Sequence, residues 1–111
     1  MIVTSTNNIE GKEIYEYRGL VFGEVVQGIN FLKDYLASWT DAMGGRSGTY
    51  EDEIKEARNQ AIREMIANAQ DVEANAIIGA RIDYEVLGQK NGMILVSASG
   101  TAVRVIDKDK T

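Results

Sequence analysis

Hydrophobic residues recur along this chain with two different periods, and the change of period divides it into strands and helices. Alternation and β-forming residues predict a short strand at Ile2–Thr4, a second at Lys12–Tyr17 and a third at Leu20–Ile29. Glycines in the third stretch indicate bends or close backbone approach, and we place a kink near Gly23. The N-terminal part of the chain is therefore predicted to be β-structure.

A first helical stretch begins after Asn30, a favoured N-cap residue, and ends at Gly44, which accepts the left-handed geometry of a C′ residue. One face of this helix is apolar and largely aromatic, and it carries Phe31, Leu32, Tyr35, Leu36, Trp39 and Met43. We interpret the aromatic face as core or as a subunit interface, with a ligand-binding face as the alternative.

A second helix is predicted from about Tyr50 to Ala69. Thr49 is its predicted N-cap, and Glu51–Glu53 fall in its first turn, where the helix dipole favours negative charge. Such an acidic triplet is more typical of a helix start than of a metal site. Two neighbouring rows of this helix form an apolar stripe rich in alanine. One row is Ile54, Ala57, Ala61, Met65 and Asn68, and the other is Arg58, Ile62, Ile66 and Ala69.

The C-terminal part of the chain is predicted to be a long hairpin of Ala76–Leu87 and Met93–Ile106. Centring its turn on Lys90 sets the register and places apolar or small residues on one face, where the alanine-rich helix can dock. The pairs are Val86 with Ile94, Tyr84 with Val96, Ile82 with Ala98, Ala80 with Gly100, and Ile78 with Ala102.

These elements predict an α+β fold, with an antiparallel sheet whose long C-terminal hairpin is covered by helices, in the order β-β-β-α-α-β-β. We expect one domain over residues 1–111, since this length supports a single hydrophobic core.

The other face of the hairpin is polar and unusually rich in small hydroxyl side chains, where a free surface more typically carries Lys and Glu. Arg81 opposite Ser99 and Asp83 opposite Ser97 are expected to form cross-strand hydrogen bonds. The face is either solvated or shared with copies of the chain around an axis. Its candidate ligand or interface residues are Arg81, Asp83, Glu85, Ser97, Ser99 and Thr101.

Composition narrows the chemistry that the chain can perform. The sequence has no cysteine and no histidine, which excludes disulfides, thiolate or imidazole metal ligands and Ser-His-Asp triads. A net charge of −5 with scattered basic residues argues against nucleic-acid binding. Residues 1–6 do not resemble a signal peptide, and no apolar run is long enough to cross a bilayer. We expect a cytoplasmic protein that does not bind membranes.

Several stretches, in this order and spacing, resemble the YbjQ-like family, whose members are labelled heavy-metal-binding and are otherwise uncharacterised. The likeness covers nearly the whole chain. The stretches that carry it are Met1–Thr4, Gly11–Ile14, Gly44–Glu51, Ala74–Gly79, Ile82–Glu85 and Val96–Val103. The resemblance implies a dodecin-like subunit assembled into a ring-shaped homopentamer, and it raises a metal ion as a cofactor by family label alone.

A heavy-metal label fits this chain poorly, because soft metals prefer the thiolate and imidazole ligands that it lacks. Asn75 also stands where we would expect an acid in many relatives. Any metal would be a hard ion bound by oxygen, gathered by symmetry from Asp83 or Glu85. We expect a homo-oligomer that binds a small ligand or ion at its subunit interfaces.

Two alternatives stay open. One is a structural or scaffold protein that acts through the aromatic helix 31–43. The other is a hydrolase in which a carboxylate such as Asp83 acts as base and Tyr84 or Tyr50 as acid. No nucleophile–base arrangement is visible in the sequence, so we expect that the protein is not an enzyme.

Overall fold

The computed structural model describes residues 1–28, 47–87 and 93–108. Within those residues the chain forms one mixed sheet in the order β1-β3-β4-β2, with one helix. β1 is parallel to β3 and the other pairs are antiparallel, so the prediction of a wholly antiparallel sheet is wrong at this edge. The predicted aromatic helix 31–43 lies outside the described residues, as do its caps. The elements are β1 Ile2–Val3, β2 Lys12–Gln27, α1 Ser47–Asp71, β3 Ala76–Leu87 and β4 Met93–Asp107.

The second and third predicted strands are one continuous strand, β2, which lies beside β4 at the sheet edge. Its register shifts between Ile14 and Glu16 and again between Tyr17 and Gly19, where Gly19 has a φ of 104°. Both irregularities thus lie between Ile14 and Gly19, and the predicted kink near Gly23 is absent because Gly23 pairs regularly with Ala98.

Gly23 instead permits close approach of α1. A Cβ atom at this position would lie 1.9 Å from the carbonyl oxygen of Ala61 and 2.6 Å from the amide nitrogen of Met65. The backbone of the helix therefore rests on the backbone of the strand. This contact explains why α1 packs mainly against β2, less against β4 and least against β3, whereas the hairpin of β3 and β4 was its predicted partner.

The predicted hairpin register is confirmed near the turn, where Val86 pairs with Ile94, Tyr84 with Val96 and Ile82 with Ala98. It fails beyond Arg81, because Gly79 and Ala80 together lie opposite Gly100 and form a β-bulge, with Gly79 at a φ of 60°. Ile78 consequently pairs with Thr101, and Ile77 with Ala102. The predicted pair of Ile78 with Ala102 is therefore wrong by one residue.

The bulge moves Ile78 to the face of the sheet that does not carry α1. Ile77 packs into the main core between α1 and the sheet, together with Ala61, Met65 and Val96. A second, smaller core lies beyond the bulge on the opposite face, where Ile9 and Ile14 cover it. Its buried members are Ala76, Ile78, Val103 and Val105.

Helix α1 begins at Ser47, so Thr49 is inside the helix and is not its N-cap as predicted. Glu51–Glu53 correspondingly follow the first turn. The helix ends in a Schellman motif, in which the amide of Ala74 donates to the carbonyl of Ala69 at 3.0 Å and that of Glu73 to Gln70 at 2.9 Å. Glu73 occupies the C′ position at a φ of 63°, where glycine is usual.

One side chain extends the pairing of β3 with β4 past the end of the strand. The amide group of Asn75 accepts a hydrogen bond from the Val105 N–H at 2.8 Å and donates one to the Val105 carbonyl at 3.0 Å. The side chain thus substitutes for a peptide group of a neighbouring strand.

Among the described helical residues, no segment is both long and apolar enough to span a membrane.

Candidate functional site

The face of the sheet opposite α1 brings residues of three strands into rows. In one row Asp83 of β3, Ser97 of β4 and Glu24 of β2 are neighbours; in the next are Arg81, Ser99 and Phe22. Alternate residues of a strand share a face, and Val96 and Ala98 belong to the core under α1, so these rows point away from the helix. We call this surface the open face, and it comprises Arg81, Asp83, Glu85, Ser97, Ser99 and Thr101 with Leu20, Phe22, Glu24 and Val26.

All six residues predicted from the hairpin lie on the open face. The side chains on β3, Arg81, Asp83 and Glu85, are exposed. The hydroxyl side chains on β4, Ser97, Ser99 and Thr101, are half-buried. Among the described residues, the predicted hydrogen bonds of Arg81 with Ser99 and of Asp83 with Ser97 are absent. Instead, the Arg81 guanidinium donates to the Asp83 carboxylate at 3.1 Å along the same strand. Charge attraction favours this pair over a bond to a neutral hydroxyl.

Strand β2 also contributes to the open face, which was not predicted from the sequence. Leu20, Phe22 and Val26 are apolar, yet their exposed fractions are 72%, 50% and 50%. Glu24 lies between them and faces Ser97. The alternation of these residues with Val21, Gly23 and Val25 was visible in the sequence, but the pairing of β2 with β4 was not. The open face therefore has a charged strand, a hydroxyl strand and a largely apolar strand.

The carboxylates of the open face do not form a metal site within one chain. Asp83 and Glu85 lie two residues apart on the same strand, and Asp83 is paired with Arg81. In residues 1–28, 47–87 and 93–108 no three acidic side chains are gathered closely enough to hold a metal ion. Metal binding by these residues would need carboxylates from another subunit.

The geometry separates the residues of the hydrolase alternative. Asp83 and Tyr84 are consecutive in a strand, so their side chains project from opposite faces of the sheet. Asp83 cannot therefore act together with Tyr84 of the same chain on one substrate. The side chain of Tyr50 lies outside the described part of the chain, as does the aromatic helix on which the scaffold alternative depends.

A second polar cluster lies where α1 ends, and its role is structural. Arg18 donates from Nε to the Val72 carbonyl at 2.8 Å and from Nη2 to Glu73 at 3.0 Å. Arg104 donates to the Glu73 carbonyl and, from Nε, to the Tyr15 hydroxyl at 2.7 Å. Two cations thus bind the carbonyl groups that follow a helix C-terminus, where the helix dipole favours positive charge.

The hydrogen bond to Tyr15 is the main cause that raises the pKa of Arg104 above its ordinary value, and the nearby Glu16 and Glu73 carboxylates add to it. An open hollow of about 420 Å³ adjoins this cluster. Its lining residues are Tyr17, Arg18, Asp71, Val72 and Glu73.

Together these features define a small α+β protein with a mixed four-stranded sheet, one face of which packs against a helix while the other presents polar and apolar rows. A family model described as "Putative heavy-metal-binding" matches residues 1–106. The chain belongs to this family, the YbjQ or UPF0145 family.

Similar proteins extend over nearly the same length as this chain. A UPF0145 protein from Listeria welshimeri is 58% identical over 109 residues, covering 98% of this chain and 99% of its own. A UPF0145 protein from Clostridium botulinum is 57% identical over 103 residues, covering 93% and 97%. Neither the family description nor these names refer to a reaction.

A crystal structure of a protein of unknown function from the DUF74 family of Pediococcus pentosaceus has a similar fold. Its TM-score is 0.64 at 15% sequence identity, and the alignment covers 96% of this chain and 98% of that one. This similarity supports the α+β architecture of the chain.

Proposed function

We propose that the protein is a homo-oligomeric binding protein that takes a small ligand or a hard metal ion at subunit interfaces formed by the open face. The observation that carries the proposal is the composition of that face, where exposed Leu20 and Phe22 lie beside the Thr101 and Ser99 hydroxyls. Exposed apolar residues next to ordered polar groups are typical of a surface that is covered in an assembly.

A second copy of the chain is the occupant that we propose for the open face. The charged strand and the apolar strand lie on opposite sides of the hydroxyl strand, so a neighbouring copy can contact both kinds of surface at once. The family resemblance favours a ring of five subunits, and a head-to-tail contact that closes is the geometry that makes rings. The aromatic helix 31–43 is the alternative contact surface.

Two matched valines test this interface. Val26 on the open face and Val86 on the other face are both at least half exposed, and both lie towards the hairpin end of their strands. We expect Val26→Lys to dissociate the oligomer, since a buried lysine charge would need a partner. Val86→Lys should leave the assembly unchanged. Native mass spectrometry of both variants gives the subunit number. A monomeric wild type, or equal behaviour of the two variants, refutes the interface.

The ligand is expected to bind through oxygen atoms. Neighbouring subunits could bring together carboxylates that one chain keeps apart, such as Asp83 and Glu85, and such a set suits calcium, magnesium or manganese. Soft heavy metals are not expected to bind tightly, because the sequence has no cysteine and no histidine.

Isothermal titration with Mg²⁺, Ca²⁺, Mn²⁺, Zn²⁺, Cd²⁺ and inorganic phosphate tests this chemistry. Binding of a hard cation should be lost in the double variant Asp83→Asn with Glu85→Gln. The double variant Asp52→Asn with Glu53→Gln is the control, because it removes the same charges from exposed positions on α1. Absence of heat with every probe, or equal loss in both double variants, contradicts the proposed ligand site.

A further inference from the structure

In the described part of the chain, side chains of α1, and not another strand, bond the outer edge of β2. Asn68 donates from Nδ2 to the carbonyl of Phe22 at 2.7 Å, and the amide of Glu24 donates to Oε1 of Glu64 at 3.5 Å. Among the strands that the structure describes, β2 lies at the end of the sheet and pairs with β4. Because α1 bonds the Phe22 carbonyl and the Glu24 amide, these two backbone groups point away from β4, towards the outer edge of β2.

The two side chains reproduce the bonds that a parallel strand would make. In a parallel pair, one residue of the incoming strand donates to the carbonyl of residue i and accepts from the amide of residue i+2. Phe22 and Glu24 are such an i and i+2 pair. Asn68 supplies the donor and Glu64 supplies the acceptor, from positions four residues apart on one face of the helix.

Gly23 makes this arrangement possible. Because it has no Cβ atom, the helix backbone at Ala61 and Met65 can approach the strand backbone closely. The side chains of Glu64 and Asn68 can then reach the edge on either side of Gly23. A helix held further away by a larger residue would leave both backbone groups beyond hydrogen-bond distance.

We propose that Glu64 and Asn68 act as a surrogate strand that closes the edge of β2 against strand addition by a second copy of this chain. A long edge strand with exposed apolar residues is prone to pair with other chains, and proteins commonly prevent this by covering the edge. Leu20, Phe22 and Val26 give β2 that character. The closure thus opposes sheet extension at this part of the β2 edge, around Phe22 and Glu24.

Hydrogen–deuterium exchange of the wild-type protein provides the first test. The Glu24 amide should exchange slowly although it does not face β4, and Glu64→Gln should keep most of this protection because the amide oxygen still accepts a hydrogen bond. Glu64→Ala should speed exchange at this amide by about an order of magnitude. An unprotected Glu24 amide in the wild type overturns the proposal.

The double variant Glu64→Ala with Asn68→Ala provides the second test. It should form additional, concentration-dependent oligomers joined by intermolecular strand pairing, which infrared spectra of mixed ¹³C-labelled and unlabelled chains detect. The double variant Asn59→Ala with Gln60→Ala changes exposed residues of the same helix and should match the wild type. A folded Glu64→Ala with Asn68→Ala variant that keeps the wild-type oligomer at every concentration overturns the closure, whatever the open face binds.

Discussion

Replacing Asn75 with aspartate tests whether its side chain serves as a surrogate peptide group for Val105. The substitution keeps the shape of the side chain and the oxygen that accepts from the Val105 N–H at 2.8 Å. It removes the N–H donor that lies 3.0 Å from the Val105 carbonyl and puts a carboxylate oxygen there. The substitution thus removes one hydrogen-bond donor at a partly buried position.

The expected decrease in the free energy of unfolding follows from the loss of this one donor. A lost hydrogen bond is worth about 1 kcal/mol, and a carbonyl left facing another acceptor adds a penalty, so we expect about 2–3 kcal/mol of destabilisation at neutral pH. For a domain of this size, that corresponds to a fall in melting temperature of roughly 10 °C. Asn75→Ala removes both bonds and should cost about 2 kcal/mol at any pH.

The pH dependence distinguishes this explanation from a general loss of packing. Protonation gives the introduced carboxyl a donor for the Val105 carbonyl, so its pKa should be higher in the folded than in the unfolded state. The folded state then binds more protons, and the stability of the variant relative to the wild type should rise as the pH falls through that pKa towards about pH 4.

Urea denaturation followed by circular dichroism, at fixed protein concentration and at both pH values, measures these differences. Asn59→Asp is the control, because it adds the same charge at an exposed position of α1. The reasoning is refuted if the deficit of Asn75→Asp does not shrink on acidification, or if the variant matches the wild type at neutral pH.

Three further substitutions test other contacts. Gly23→Ala should destabilise the protein by more than about 3 kcal/mol or prevent folding. Gly28→Ala, whose added Cβ meets no atom of the described residues within 4 Å, should be nearly neutral by the same denaturation assay. Glu73→Gly should stabilise by about 0.5–1 kcal/mol, because relief of the left-handed strain exceeds the loss of an exposed ion pair; a lower melting temperature would contradict this. Lys12→Met should change stability by less than about 1 kcal/mol, since its bond to Asp107 is solvent-exposed, and a larger loss of thermal stability would show that this pair matters more than expected.

The register of the hairpin near its turn could be predicted from the sequence. Side chains alternate between the two faces of a strand, and the register is fixed wherever one face is buried. It did not reveal the bulge, since Gly79 reads as one more small residue in a run of small and apolar ones. The parallel pairing of β1 with β3 could not be predicted either, because a two-residue strand has no hydrophobic pattern that identifies its partner.

The candidate site was predicted in part. Its β3 and β4 residues followed from the hairpin register, which is a local property of the chain. Its β2 residues depend on a pairing between segments far apart in the sequence, such as Phe22 with Ser99. The hydrogen bonds of Asn75 could not be predicted for a similar reason. Only the folded structure shows that both atoms of its amide group are already bonded to Val105.

The position of β4 in the sheet has a consequence for biosynthesis. In the described sheet, β2 and β3 do not pair with each other, and both pair with β4. β4 follows the other described elements in the sequence. A nascent chain emerging from the ribosome therefore carries α1 and two long strands, β2 and β3, without their shared partner until translation reaches β4. The sheet should consequently stay incomplete until β4 has left the ribosome, and chaperones would meet the chain before that point.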